Sequence, residues 1–256
     1  MPVKTPWIGT SWKMNKTRPQ ARAFAGTLAT SAVASTQAAR LFVIPPFTAI
    51  ADVAAILATT NVRVGAQNMH WAEAGAWTGE ISVPMIREVG ASLVEIGHSE
   101  RRAHFGETDE TVALKTKAAI AGGLTALVCV GETKAEYEAG RTSEVLARQV
   151  SAALSQVDRA DRDKIVIAYE PVWSIGEGGV PADPAFADLQ HKRIKEVSRS
   201  VFGELVDVVY GGSVNAENCS NLGTQPYIDG LFIGRAAWEA SGYIGIVESV
   251  ISALRE

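Results

Sequence analysis

Ile165-Val166-Ile167-Ala168-Tyr169-Glu170-Pro171-Val172-Trp173-Ser174-Ile175-Gly176-Glu177-Gly178 is an apolar run that ends abruptly in a carboxylate. The stretch Ile165 to Tyr169 lacks polar alternation, which reads as a strand buried on both faces, the kind found in parallel sheets covered by helices. Pro171 pushes Glu170 away from helical geometry, and Gly176, Gly178 and Gly179 make the following loop flexible. A Glu at the carboxyl end of a buried strand, followed by a rigid and then a flexible loop, suits a general base beneath a closing lid. An isolated Glu in this place more often caps the next helix; the surrounding motif decides against that.

Similar runs recur along the chain: Trp7-Ile8-Gly9, Leu41-Phe42-Val43-Ile44, Val62-Arg63-Val64, Leu93-Val94-Glu95-Ile96, Leu124 to Val130, Leu205 to Tyr210 and Gly230-Leu231-Phe232-Ile233. Helix-forming stretches rich in Ala, Leu, Glu, Lys and Arg separate most of them, among them Asp109 to Gly122, Glu144 to Gln156 and Pro184 to Phe202. Strands alternating with helices predict the α/β class. About eight such units in 256 residues favour a closed (β/α)₈ barrel over an open sheet. With no linker or low-complexity segment in sight, residues 1–256 are expected to form one domain. In such a barrel chemistry sits on the loops that follow the strands. Lys13 follows the first run, His98 the fourth and Glu170 the sixth, while Cys129 falls at the end of the fifth. Ser213 and Gly234 follow the last two.

The net charge of -4 gives no reason to expect a nucleic-acid or anionic-membrane partner. The two cysteines, Cys129 and Cys219, make no disulfide framework and read as reduced thiols. No apolar run approaches the ~20 residues of a membrane span, and the N-terminus lacks a signal-peptide core, so a soluble cytoplasmic protein is expected. No His, Cys, Asp and Glu grouping has metal-ligand spacing and no dinucleotide fingerprint is present, so neither a metal nor another cofactor is expected.

Six segments in register, Ser11-Trp12-Lys13-Met14-Asn15, Gly75 to Glu80, Ile96 to Arg102, Cys129 to Thr133, Ala168 to Gly178 and Tyr210-Gly211-Gly212-Ser213-Val214, resemble those of the triosephosphate isomerase family. The resemblance runs in the same order over essentially the whole chain. It implies a (β/α)₈ TIM barrel and an intramolecular oxidoreductase of the aldose–ketose isomerase type, working without a metal on a phosphorylated sugar through an enediol(ate). Glu170 matches the family's base, His98 the neutral electrophile that polarises the carbonyl, and Lys13 the cation that stabilises developing negative charge. This use of a Glu base with a neutral histidine is the handling of acid and base that the family exemplifies. Glu100 is expected to hold Lys13 or donate a hydrogen bond nearby, with a surface ion pair as the plainer alternative. Gly211, Gly212 and Ser213, then Gly234, and Gly176 in the lid are expected to bring backbone amides to the phosphate. Cys129 is expected to pack near the base without acting as a nucleophile. Thr78 matches the tip of a long loop that in the family enters a neighbouring subunit. Trp71, Trp77 and Met69 on that loop would be poorly satisfied in solvent, so a homodimer is expected.

Four departures from the family lie around the substrate. Ser11 stands where the family usually has Asn, Glu177 where it has Thr between two glycines, Gly179 where a lysine commonly follows, and Arg235 where a second glycine follows Gly234. Arg235 could bind phosphate or pair with Glu177. Ser is shorter than Asn and leaves room. The opening Gly9-Thr10-Ser11-Trp12-Lys13-Met14-Asn15-Lys16 is similar to the tetrulose-phosphate isomerases of this family, which interconvert L-erythrulose 1-phosphate and D-erythrulose 4-phosphate in erythritol catabolism. That is the expected substrate, with the glycolytic triose phosphates as the alternative. A lyase or aldolase would need a Schiff-base lysine or a metal site, and a non-catalytic barrel would not need Glu170, His98 and Lys13 together.

Overall fold

The computed structural model describes residues 5–176 and 178–255. Among them, eight parallel strands close into a barrel in chain order: β1 (Trp7–Ser11), β2 (Arg40–Ile44), β3 (Arg63–Ala66), β4 (Leu93–Ile96), β5 (Thr125–Val130), β6 (Ile165–Tyr169), β7 (Asp207–Tyr210) and β8 (Gly230–Ile233). β8 pairs with β1, with Ile233 beside Thr10, and that pairing removes both sheet edges.

The continuous apolar runs are explained by two separate cores. Residues alternating inward along the strands, including Trp7, Phe42, Leu93, Leu127, Val166, Val209 and Phe232, fill the barrel. The intervening residues, such as Ile8, Val43, Val94, Val128, Ile167 and Val208, face the surrounding helices. Burying each such aliphatic or aromatic side chain contributes roughly 1.5–3 kcal/mol. The interior is tight: a Cβ at Gly9 would come within 2.2 Å of the Phe42 ring, so the glycine leaves the space that Phe42 fills.

Helix Pro184–Phe202 covers the barrel after the glycine-rich loop. Asp183 caps it by accepting hydrogen bonds from the amides of Ala185 and Phe186, Pro184 opens it, and Gly203 ends it in a left-handed conformation at φ 80°. The predicted third run moves to Arg63–Ala66, and the seventh shortens to Asp207–Tyr210, leaving Leu205 exposed. Helix Thr142–Leu154 starts and stops two residues before the predicted stretch. Among the described residues no helix is long and apolar enough to cross a membrane.

Candidate active site

Pairing in parallel register brings the carboxyl ends of all eight strands to one face, and a cavity of about 510 Å³ opens there. Ser11, Lys13, His98, Glu100 and Glu170 line one part of it. Gly176, Gly211, Gly212, Ser213, Gly234 and Arg235 line the rest. Residues far apart in sequence therefore share one pocket, as their positions after apolar runs predict.

Glu170 leaves β6 buried at 3% exposure. Its Oε1 lies 3.4 Å from His98 Nε2, and its Oε2 accepts from the Ser99 amide at 3.4 Å. Two glycines make this placement possible. A Cβ at Gly211 would approach Glu170 Cγ to 2.8 Å, and one at Gly131 would collide with the Glu170 carbonyl at 1.8 Å. Such a carboxylate can take a proton from a carbon held beside it.

His98 caps helix Ser99–His104, with Nδ1 accepting from the Glu100 amide at 3.1 Å. A ring nitrogen that accepts an N–H is unprotonated, so this contact fixes the tautomer and leaves the proton on Nε2. That N–H points to the Glu170 side of the cavity, where it can donate to a carbonyl oxygen.

Lys13 has φ 52°, a left-handed conformation unusual for a lysine. Gln67 Nε2 holds its carbonyl at 2.8 Å, and its Nζ meets Glu100 Oε1 at 2.5 Å. Burial pushes the Glu100 carboxyl up, but the Lys13 hydrogen bond and the charges of His98, Lys13 and His104 outweigh it, leaving the carboxyl below its ordinary range. The expected contact between Glu100 and Lys13 is present. Gln67 carries no mark in the sequence that would single it out, because it acts only through the backbone of another residue.

The glycine turns after β7 and β8 shape the other end. A Cβ at Gly212 would strike the Tyr210 hydroxyl at 2.3 Å, so only glycine fits there. At Gly176 and Gly234 a Cβ would meet nothing within 4 Å, which leaves backbone facing open cavity. Ser174 Oγ accepts from the Ser213 amide at 3.2 Å and bonds the Tyr210 hydroxyl at 3.3 Å, tying the base of the loop after β6 to the turn after β7. Glu132 anchors the same loop, accepting from Trp173 Nε1 at 2.8 Å and the Tyr169 hydroxyl at 3.1 Å. Glu177, expected between the lid glycines, lies outside the described residues, and with it any pairing to Arg235.

Cys129 is buried in the barrel interior. Burial, followed by the nearby carboxylates of Glu170 and Glu95, raises its thiol well above the ordinary range, so it stays protonated and is a poor nucleophile. Thr78 is exposed on the loop after β3, away from the cavity. One expectation needs correction. Met69 is not presented to solvent: it is fully buried in the outer core, because it leaves β3 while the chain is still packed beneath the helices. Trp77 is half-exposed; Trp71 stacks on His70 at 4.1 Å, and the Trp77 ring lies tilted against it at 4.3 Å. Glu95, His98 and Glu170 bring a ring nitrogen and two carboxylate oxygens within 4.8 Å of one another, a set that could hold a cation. Sequence spacing hides this group because its third member comes from a different strand.

Glu95, which the sequence reading does not single out, touches two of the residues that line the cavity. It sits inside an apolar run, on the inward parity shared with Leu93, and is 3% exposed. Ser11 Oγ donates to its Oε2 at 2.8 Å, and its Oε1 lies 3.9 Å from His98 Nε2. Burial raises its carboxyl to about 7, with Glu170 adding to the rise and His98, the Ser11 hydrogen bond and Lys13 opposing it. A charged residue within a buried strand was the signal available.

Residues 6–250 match the family model for triosephosphate isomerase. Over 250 residues the chain is 52% identical to the L-erythrulose-1-phosphate isomerase of Rhizobium rhizogenes, covering 97% of this chain and 96% of that one. It is 53% identical to the protein of the same name in Rhizobium meliloti and 54% identical to that of Mesorhizobium japonicum, each match covering 97% of this chain and 98% of the relative. With the barrel, the shared pocket and a match over nearly its full length, the chain belongs to the triosephosphate isomerase family of sugar-phosphate isomerases.

Proposed function

We propose that this isomerase converts L-erythrulose 1-phosphate to D-erythrulose 4-phosphate through an enediol(ate), without a metal or other cofactor. The observation that carries the reading is the pairing of the Glu170 carboxylate with His98 Nε2 at 3.4 Å, at one end of a cavity whose other end is bare glycine backbone. The names of the relatives support the choice of sugar. The four-carbon ketose differs from dihydroxyacetone phosphate only by a hydroxymethyl group on the carbon that loses its proton, so the same machinery serves both.

Glu170 takes the proton from carbon 3. His98 Nε2–H and the Lys13 ammonium draw on the oxygen at carbon 2 as negative charge develops there. The resulting enediolate receives a proton at carbon 2 from Glu170, and His98 relays the hydroxyl proton between the two oxygens. The carbonyl thereby moves to carbon 3, and the product has the atoms of the substrate. Amides of Gly176, Gly212 and Gly234, with the side chains of Ser213 and Arg235, hold the phosphate. Glu100 positions Lys13, and Cys129 packs behind the base.

The metal-free reading rests on the donors themselves. A cation on Glu95, His98 and Glu170 would occupy the lone pair that removes the proton and displace the Nε2 proton that polarises the carbonyl. Dialysis against EDTA should leave kcat/KM unchanged; a loss that a divalent cation restores would contradict this. In D₂O, deuterium should enter the product at the carbon that receives the proton. Retention of the substrate proton would mean that Glu170 returns it faster than it exchanges with solvent; deuterium at any carbon other than the two of the enediol would argue against this route.

The whole chain is proposed to act as one barrel domain in the cytoplasm, in four-carbon polyol catabolism, and as a homodimer. The half-exposed Trp77 and exposed Thr78 on the loop after β3 support the dimer. An active monomer at micromolar concentration in light scattering would remove it. The retained Lys13, His98 and Glu170 favour triosephosphate isomerisation as the second reading.

A further inference from the structure

Ionised carboxyl groups are costly to bury unless charges or hydrogen bonds compensate them. Glu95 lies buried on β4 behind Ser11 and His98, two residues that line the pocket, with little such compensation. Among the described residues no lysine or arginine forms an ion pair with it, and His98 Nε2 at 3.9 Å is beyond hydrogen-bond reach. Ser11 Oγ alone among the hydrogen bonds described here donates to it, at 2.8 Å. An ionised carboxylate has about four acceptor sites, so the group retains capacity that the protein does not fill.

Its position says what could fill that capacity. Ser11 and His98 both line the cavity, and oxygens of Glu95 and Glu170 lie with His98 Nε2 inside a 4.8 Å span. A carbon poised for proton removal sits ~3–3.5 Å from the base. A hydroxymethyl group on that carbon places its oxygen one C–C and one C–O bond further on, among the side chains that line this end of the cavity, Ser11 included. The phosphate turns occupy the other part of the cavity and are excluded from this contact.

We infer that Glu95, together with Ser11, is the specificity-determining pair that receives the terminal hydroxyl of a four-carbon ketose phosphate. The inference rests on the tetrulose reading above and adds to it the residues that read the extra carbon. The hydroxyl donates to Ser11 Oγ, which in turn donates to the Glu95 carboxylate. A triose phosphate carries no hydroxymethyl substituent on the reacting carbon, so it leaves the Ser11–Glu95 pair without that hydrogen bond. Sites built to bond a substrate hydroxyl reject the analogue lacking it by as much as ~10⁴-fold. The raised carboxyl, close to neutrality, adds that the group is available in both acceptor and donor forms among His98, Glu170, Ser11 and Lys13.

The test compares kcat/KM for L-erythrulose 1-phosphate and for dihydroxyacetone phosphate in the wild type, Glu95→Gln and Glu95→Leu, with thermal unfolding to confirm that each variant is folded. The expected result is a fall in the tetrulose-to-triose ratio of roughly 100-fold in Glu95→Leu and roughly tenfold in Glu95→Gln. Glu95→Gln preserves volume and keeps the test valid if the leucine variant does not fold. An equal loss on both substrates, or an unchanged ratio, would overturn the assignment of Glu95 while leaving the tetrulose reading intact. A wild type that itself prefers dihydroxyacetone phosphate would overturn that reading and this inference together.

Discussion

The two ends of the pocket are built from different materials. The end proposed to hold the phosphate is backbone: Gly211, Gly212, Ser213 and Gly234, with Gly176 from the loop after β6. The reaction end is side chain: Ser11, Lys13, Glu95, His98 and Glu170, carried by β1, β4 and β6 and the residues just after them. Backbone amides suit a group that every substrate of the family carries, since they offer fixed donors and little shape selectivity. Buried carboxyls and a tautomer-fixed imidazole suit the end where bonds change and where substrates differ. The difference teaches that substrate choice should depend on the reaction end, whereas loss of the phosphate end should weaken all substrates alike.

The largest expected effect strikes the reaction end. Glu170→Gln should lower kcat by about 10⁴-fold while circular dichroism reports an unchanged fold, because it removes the base and preserves the volume. Full activity in that variant would end the proposed mechanism. Gly212→Ala tests the other end. Its Cβ would fall 2.3 Å from the Tyr210 hydroxyl, so the turn must shift. KM should rise on the order of tenfold, with about 1–3 kcal/mol of stability lost in urea unfolding. The loss in kcat/KM should be the same for tetrulose and triose phosphates; a substrate-dependent loss would break the division between the two ends.

A smaller effect follows from the Glu95 carboxyl, which burial raises from 4.5 to about 7 against the opposition of His98, Ser11 and Lys13. The folded state holds this proton more tightly than the unfolded chain. Its contribution to stability is therefore fully present below about pH 4.5 and is lost as the pH rises through 7. Relative to Glu95→Gln, the wild type should lose on the order of 3 kcal/mol between pH 5 and pH 8 in urea unfolding. Parallel pH profiles for the two proteins would show that the carboxyl is not held near neutrality.

Much of this was legible in the sequence, for a specific reason. A buried parallel strand needs apolar residues on both faces, so strands appear as runs, and residues that break the pattern at their ends fall on the catalytic face. Lys13, His98 and Glu170 are visible in that way. Glu95 is not, because it lies within a run, and only inward parity with Leu93 marks it. Gln67 and Glu132 act through a lysine carbonyl and a lid tryptophan, contacts that only the folded chain creates. Met69 was misjudged because apolar residues near a loop look exposed until the helices above them are placed. The Glu95, His98 and Glu170 grouping was invisible because β4 and β6 bring together residues 75 positions apart.

The central claim is that this barrel keeps the family's proton-transfer chemistry and has changed its sugar. It is tested most directly by kcat/KM for L-erythrulose 1-phosphate and dihydroxyacetone phosphate, measured side by side on the purified protein. The expected result is a preference of roughly a hundredfold or more for the four-carbon substrate. A preference for dihydroxyacetone phosphate would contradict it and make the chain a triosephosphate isomerase with an altered pocket floor.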